Sequence, residues 1–191
     1  MGGQNWKLTL PVDANGNDSS GATTTAERNT SATSVANLTS YVNPPYFYAE
    51  NGEVVFKAHA AGATTGGSYP KTGLRQHVGG TGKDYYWSLD DFQKLDVRMQ
   101  ITEVMPIKSD LTIVQISSHS NQPLSIRYRL GLGLFIEHNE NASGSSRTES
   151  IPYNIGERLH IVITVSETTT GVVTCQITNL DTGYVFNLEF D

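Results

Sequence analysis

Cysteine is almost absent from this chain of 191 residues: Cys175 stands alone, so no internal disulfide can form. Charged residues are also few, and the acidic ones outnumber the basic ones by 19 to 13, which gives a formal net charge of −6. Nucleic acids require a basic surface, so we expect no nucleic-acid partner. No run approaches the roughly 18 apolar residues of a membrane span, and we expect no membrane insertion.

Motifs for metals and cofactors are missing as well. The five histidines are scattered along the chain, and none forms an HExxH pair or a Cys/His cluster. A serine nucleophile elbow and a phosphate-binding loop are also absent. We therefore expect neither a metal site nor a cofactor. The first residues contain no apolar secretion signal.

The residues that are abundant favour an all-β protein. Val, Ile, Thr, Tyr and Phe recur in short runs, Gly, Asn, Asp, Ser and Pro punctuate them, and no long run has a helical period. Residues 13–42 are rich in small polar side chains and predict a long outer loop, with one short helix at 34–38. At this length we expect a single domain over residues 1–191.

Three strands are predicted in the second half of the chain. Residues 94–102 carry an apolar side chain at every second position, which predicts a strand with one face in the core. Residues 159–166 and 172–178 predict a pair of strands joined by a turn at 167–171. Cys175 follows the apolar alternation of the last strand, which predicts a buried thiol.

The stretch Ser-Tyr-Pro-Lys-Thr-Gly-Leu-Arg at residues 68–75 is the most informative one. If it is a strand, Lys71, Gly73, Arg75 and His77 lie on one face, and such a row of cations suits an anion. The alternative is that these side chains are the solvated face of an ordinary strand.

This stretch resembles the substrate-gripping strand of the jelly-roll alginate lyases, polysaccharide lyase family seven. Residues 6–11, Trp-Lys-Leu-Thr-Leu-Pro, resemble the first strand of those enzymes, and Val-Gln-Ile at 114–116 stands at their Gln-Ile-His motif. Leu-Phe-Ile-Glu at 134–137 also follows their layout. The resemblance covers nearly the whole chain and implies an antiparallel β-sandwich of the jelly-roll class.

Several catalytic motifs of that family are altered here. The family's gripping strand reads Arg-Ser/Thr-Glu-Leu-Arg, and in this chain its first arginine is Lys71 and its glutamate is Gly73. The histidine of Gln-Ile-His is Ser117, and the chain ends at Asp191, where we expect the final Tyr-Phe-Lys-Ala-Gly-x-Tyr-x-Gln strand to begin. The resemblance therefore implies ancestry and fold more strongly than activity.

The family's reaction is β-elimination beside a uronate carboxylate, which must be neutralised while one proton is removed and another is donated. Arg75 and Gln115 match the residues that hold the carboxylate, whereas the histidine and final-strand tyrosine that move protons have no match. General acid–base groups contribute about 10²–10⁴-fold each, so we expect little catalysis. His77 and His119 are the candidates for replacements, but each is displaced by roughly 6–7 Å along its strand.

Binding of an acidic polysaccharide is predicted instead. Arg127 and Arg129 alternate around Tyr128, and they serve equally well as binding residues or as exposed strand cations. The predicted substrate-binding set is Lys71, Arg75, Gln115, Ser117, Arg127 and Arg129.

Three functions remain open. The first is a non-catalytic module, extracellular or on a particle surface, that binds an acidic polysaccharide or decorates a larger assembly such as a virus particle. The second is an active polyuronate lyase with rearranged catalytic residues, and the third is a purely structural assembly protein. Because the final family strand is not found, we also expect an open sheet edge that a protein partner or a neighbouring subunit completes.

Overall fold

The computed structural model describes residues 5–12, 27–30, 42–58, 70–77, 85–87, 92–105, 110–117, 122–139, 145–166 and 172–190. The regular elements in these ranges are all β-strands: β1 (Asn5–Thr9), β2 (Glu27–Thr30), β3 (Phe47–Glu50), β4 (Glu53–Phe56), β5 (Gly73–His77), β6 (Gln93–Gln100), β7 (Asp110–Ile116), β8 (Leu124–Arg129), β9 (Gly133–Asn139), β10 (Ser145–Arg147), β11 (Arg158–Val165), β12 (Val173–Asn179) and β13 (Val185–Phe190). Within them no helix is long and apolar enough to cross a membrane.

The chain forms two compact units, unit 1 (Met1–Tyr85) and unit 2 (Tyr86–Asp191). The prediction of a single domain over residues 1–191 stays a prediction. The short helix predicted at 34–38 and the turn predicted at 167–171 lie outside the described residues.

Unit 1 contains a three-stranded antiparallel sheet in the order β2-β1-β5 and a separate hairpin of β3 and β4. Asn51 and Gly52 join the hairpin with φ angles of 51° and 80°, the left-handed conformation that a two-residue turn between twisted strands requires. The apolar core of unit 1 includes Leu8, Leu10 and Phe47. The first strand expected from residues 6–11 is present as β1.

Unit 2 contains two four-stranded antiparallel sheets. One has the order β10-β9-β8-β7 and the other β13-β12-β11-β6. Apolar side chains from both sheets meet in one buried cluster, which is the arrangement of a β-sandwich. The fully buried members are Leu124, Ile126, Leu134, Ile136, Ile161 and Ile163.

Alternation along each strand builds this core. In β11 every second residue from Leu159 to Val165 is buried, and β12 alternates in the same way. In β6 the partly buried residues Leu95, Val97 and Met99 pack on the cluster, as predicted. The strand ends at Gln100, two residues earlier than expected, although Ile101 is still buried.

The predicted burial of Cys175 is confirmed. Its side chain is 1% exposed within β12, and burial raises the pKa of the thiol to about 12. The thiolate is the reactive form of cysteine, so this thiol should be inert in the folded protein.

The core assignment predicts unequal effects for two isoleucines. Ile163 is fully buried between the sheets, whereas Ile155 is 39% exposed. Ile163→Ala should lower the free energy of unfolding by about 2–5 kcal/mol in a denaturant titration, because it leaves a cavity. Ile155→Ala, the matched control, should change it by less than about 1 kcal/mol. Similar losses for both variants would contradict the assigned core.

The raised pKa predicts that Cys175 resists a thiol reagent near pH 8. Modification by a chromogenic disulfide should be roughly a thousandfold slower than for a free thiol, because only the thiolate reacts and its fraction is reduced by that factor. Denaturant should restore the ordinary rate. Rapid modification of the native protein would show that the thiol is accessible.

Candidate functional site

Arg75 lies on β5 in unit 1, at the end of the sequence stretch that predicted an anion site. In the antiparallel register Leu74 pairs with Leu8 and contacts the unit 1 core, so Arg75 lies on the other face. Lys7 is the cross-strand partner of Arg75. Two cations at directly opposed positions of a sheet favour an anion at that place.

Strand β5 begins at Gly73, so Lys71, the first residue of the predicted row of cations, precedes the strand. Lys71 is exposed in the segment before it, where Pro70 has no backbone N–H for a sheet ladder. Thr72, next to Lys71, donates its hydroxyl to the carbonyl of Lys57. The side chain of His77 lies outside the described residues, as does the whole of His119.

Gln115 and Ser117 lie in unit 2, at the end of β7. Gln115 is exposed, and its side-chain nitrogen donates a hydrogen bond to the Ser117 hydroxyl at 3.0 Å. Ser117 stands where the resembled family has histidine. A serine hydroxyl can hold the amide in place, but it is too weak a base at neutral pH to replace an imidazole.

The strand register brings Gln115 into a row across one sheet. Gln115 pairs with Ser125, Ser125 with Glu137, and Glu137 with Arg147. Directly opposed residues of antiparallel strands share a face, so this row lies on the face turned away from the core. Arg127 and Arg129 lie on the same face, because Tyr128 between them is buried in the core. We call this surface the arginine face; it comprises Gln115, Ser125, Arg127, Arg129, Phe135, Glu137 and Arg147, together with Asp110 on β7.

Arg127 and Arg129 are held by two carboxylates. Arg127 donates to Glu137 at 2.6 Å, and Arg129 donates to both oxygens of Asp110, at 2.5 and 2.7 Å. Hydrogen bonding to Asp110 raises the pKa of Arg129 above its ordinary value. These bonds between guanidinium and carboxylate groups fix the orientation of both arginine side chains.

Phe135 lies beneath the arginines. Its side chain is fully buried although it points away from the sandwich core, and the guanidinium carbons of Arg147, Arg129 and Arg127 lie 4.9, 5.5 and 5.9 Å from its ring centroid. Cations at these distances are attracted to the negative face of an aromatic ring. Because the ring is covered, it cannot stack against a sugar.

The charges of the arginine face do not cancel. Three arginines stand against Asp110 and Glu137, so the described side chains of this face carry one excess positive charge. Arg147 is exposed, and no salt bridge to another described residue involves it. The face can therefore hold an anion, and the Gln115 amide is a further donor on the opposite edge strand of the same face.

Proton-transfer groups are sparse on this face. Its described side chains include no histidine, tyrosine, lysine or cysteine. Both carboxylates are engaged with arginines. Among the described residues no group of three or more His, Cys, Asp or Glu side chains could hold a metal ion.

Part of this surface was predicted from the sequence. Gln115, Arg127 and Arg129 belong to the predicted binding set, and the structure brings these three to one face; Lys71 and Arg75 lie in the other unit. Asp110, Glu137 and Arg147 were not predicted, because their positions depend on pairing between strands. Lys7 was also missed, although its alternation with Leu8 and Leu10 was visible in the first strand motif.

Comparison with known proteins identifies the family. A family model described as alginate lyase matches residues 3–187, and the chain belongs to this family. The crystal structure of an alginate lyase from Pseudomonas aeruginosa superposes with a TM-score of 0.66 at 18% sequence identity, covering 98% of this chain and 81% of that one. The predicted all-β jelly-roll fold is thereby confirmed. No curated protein sequence matched the chain.

The charge network predicts that Asp110 stabilises the fold. Asp110→Ala should lower the melting temperature by a few degrees, because Arg127 and Arg129 then lose a shared carboxylate partner beside a buried ring. Glu103→Ala removes an exposed carboxylate of the same unit and is the control. Equal melting temperatures for the two variants would show that the network contributes nothing.

Proposed function

We propose that this alginate lyase family member binds an acidic polysaccharide and turns it over little or not at all. The observation that supports binding is the arginine face, where one sheet presents three guanidinium groups with excess positive charge and, on the same face, the exposed Gln115 amide. Guanidinium groups suit uronate carboxylates because two parallel N–H donors match the two carboxylate oxygens. An extracellular or particle-surface location belongs to the same proposal.

The overall charge of −6 does not prevent this binding. Charges farther away than about 8–10 Å are screened at physiological ionic strength, so a polysaccharide in contact with Arg147 responds mainly to the local cluster. Binding through such a cluster should weaken as salt concentration rises.

Low turnover follows from the replacement of the family's histidine by Ser117. The lyase reaction needs a base at the sugar C5 proton and an acid at the leaving glycosidic oxygen. Ser117 occupies the histidine position, and the described side chains of the arginine face supply no replacement. Carboxylate neutralisation alone accelerates elimination much less than neutralisation combined with proton transfer.

An active polyuronate lyase is the second candidate, and membership of the alginate lyase family favours it. This candidate requires a base and an acid outside the described arginine face, and His77 and His119 are the sequence-based choices. A partner strand that completes a sheet edge stays a prediction and is compatible with either candidate.

Charge variants of the arginine face test the binding proposal. Arg147→Ala should weaken binding of an alginate oligosaccharide by about tenfold or more, because it removes a charged hydrogen-bond donor. Glu137→Gln should strengthen it, since the face gains one positive charge. Isothermal titration at low and physiological salt measures both effects.

Arg98→Ala is the matched control, because Arg98 is an exposed strand arginine on the other sheet of unit 2. It changes the total charge by the same amount as Arg147→Ala and should leave the affinity unchanged. Equal losses for Arg98→Ala and Arg147→Ala would mean that only net charge matters, which would contradict a specific site.

A further inference from the structure

Unit 2 has a surface cavity separate from the arginine face. It lies between the turn at residues 152–157 and the turn that joins β12 to β13, and its volume is about 430 Å³. None of its lining residues belongs to β7, β8, β9 or β10. The volume is within the range of about 300–1,000 Å³ that is usual for small-molecule sites.

One wall of the cavity is a fixed carboxylate. Glu157 accepts hydrogen bonds from the backbone and side-chain nitrogens of Asn154, both at 2.8 Å, and from the side chain of Asn179 at 2.7 Å. These bonds, led by the Asn154 backbone N–H, lower the pKa of Glu157 below its ordinary value. A carboxylate accepts about four hydrogen bonds, so Glu157 retains capacity for one more donor.

The groups behind this wall are rigidly placed. Asn179 is 3% exposed, and its side-chain oxygen accepts from the backbone N–H groups of Asp181 and Thr182, both at 3.1 Å. The buried Tyr153 accepts from the Ile101 N–H at 2.9 Å and donates to the Glu157 carbonyl at 3.0 Å. The polar wall is therefore formed before any ligand arrives, which reduces the entropy lost on binding.

The lining of the cavity also includes less polar residues. Tyr184 lines the cavity beside Pro152 and Gly183, and its side chain is 41% exposed. An exposed tyrosine offers an apolar ring for stacking together with a hydroxyl at its tip. A ligand in the cavity would thus meet hydrogen-bond acceptors and an aromatic ring.

We propose that this cavity binds a neutral saccharide. A pyranose has an apolar face of C–H groups, which matches Tyr184, and a rim of hydroxyl donors, which matches Glu157 and the exposed Asn154 amide. The charge of Glu157 disfavours a uronate carboxylate, whereas the charge of Asp181 in the adjacent turn is paired with that of Arg158. The cavity therefore selects the opposite class of sugar from the arginine face, and the inference does not depend on the function proposed above.

A panel of neutral disaccharides tests this site. Cellobiose, lactose and mannobiose are titrated into the whole protein, and binding is followed by saturation-transfer NMR and chemical-shift changes. At least one should bind, and Tyr184→Ala should weaken it by about tenfold or more, since truncation removes the stacking ring. Tyr184→Phe, which retains the ring, should keep most of the affinity.

Two controls make the result specific. Leu180→Ala removes a side chain that is 40% exposed in the same turn but does not line the cavity, and it should bind as the unchanged protein does. An alginate disaccharide should not compete. The proposal fails if no panel member binds, if Tyr184→Ala binds as well as the unchanged protein while its melting temperature is retained, or if the alginate disaccharide competes equally.

Discussion

Each main strand of unit 2 buries the side chains of one face in the core, so the alternate residues of the same strand lie on the opposite face. Leu124, Ile126 and Tyr128 of β8 are buried in the sandwich. Strand geometry then leaves Arg127 and Arg129 no direction except outward. The arginine face is thus a consequence of core packing, and its position is as rigid as the sandwich that supports it.

Closely spaced arginines repel one another, and groups on the neighbouring strands of the sheet offset this repulsion. Asp110 and Glu137 neutralise two arginines, while the ring of Phe135 lies under all three guanidinium groups. The guanidinium groups of Arg127 and Arg129 are thereby fixed by carboxylates, and the remaining positive charge is that of the exposed Arg147 over the Phe135 ring. A guanidinium group suits recognition of a planar carboxylate.

The sequence allowed the local features to be predicted, and the non-local ones required the structure. Alternation predicted β6, β11 and β12, the burial of Cys175, and the shared face of Arg127 and Arg129. Asp110 and Glu137 are 17 and 10 residues from Arg127, and their proximity depends on strand register. Because the register shifts between Thr112 and Val114 in β7, residue spacing alone does not predict that Asp110 pairs with the arginines of β8. The burial of Phe135 was equally hidden, because Leu134, Phe135 and Ile136 are buried in succession and do not alternate.

The chain belongs to the alginate lyase family, but residues that the resemblance associates with catalysis are replaced in it. The alginate lyase match establishes the fold. Arg75 and Gln115 match the residues that, by the resemblance, bind the substrate carboxylate. Gly73 and Ser117 replace groups that the resemblance associates with catalysis. We expect a family member with these replacements to keep ligand binding and to lose most of its catalytic activity.

Binding without turnover is tested most directly by following the absorbance of the unsaturated product while the protein is incubated with alginate and other polyuronates, with binding measured on the same sample. We expect binding without steady product formation. Steady turnover that Arg75→Ala abolishes would contradict it and would establish an active lyase.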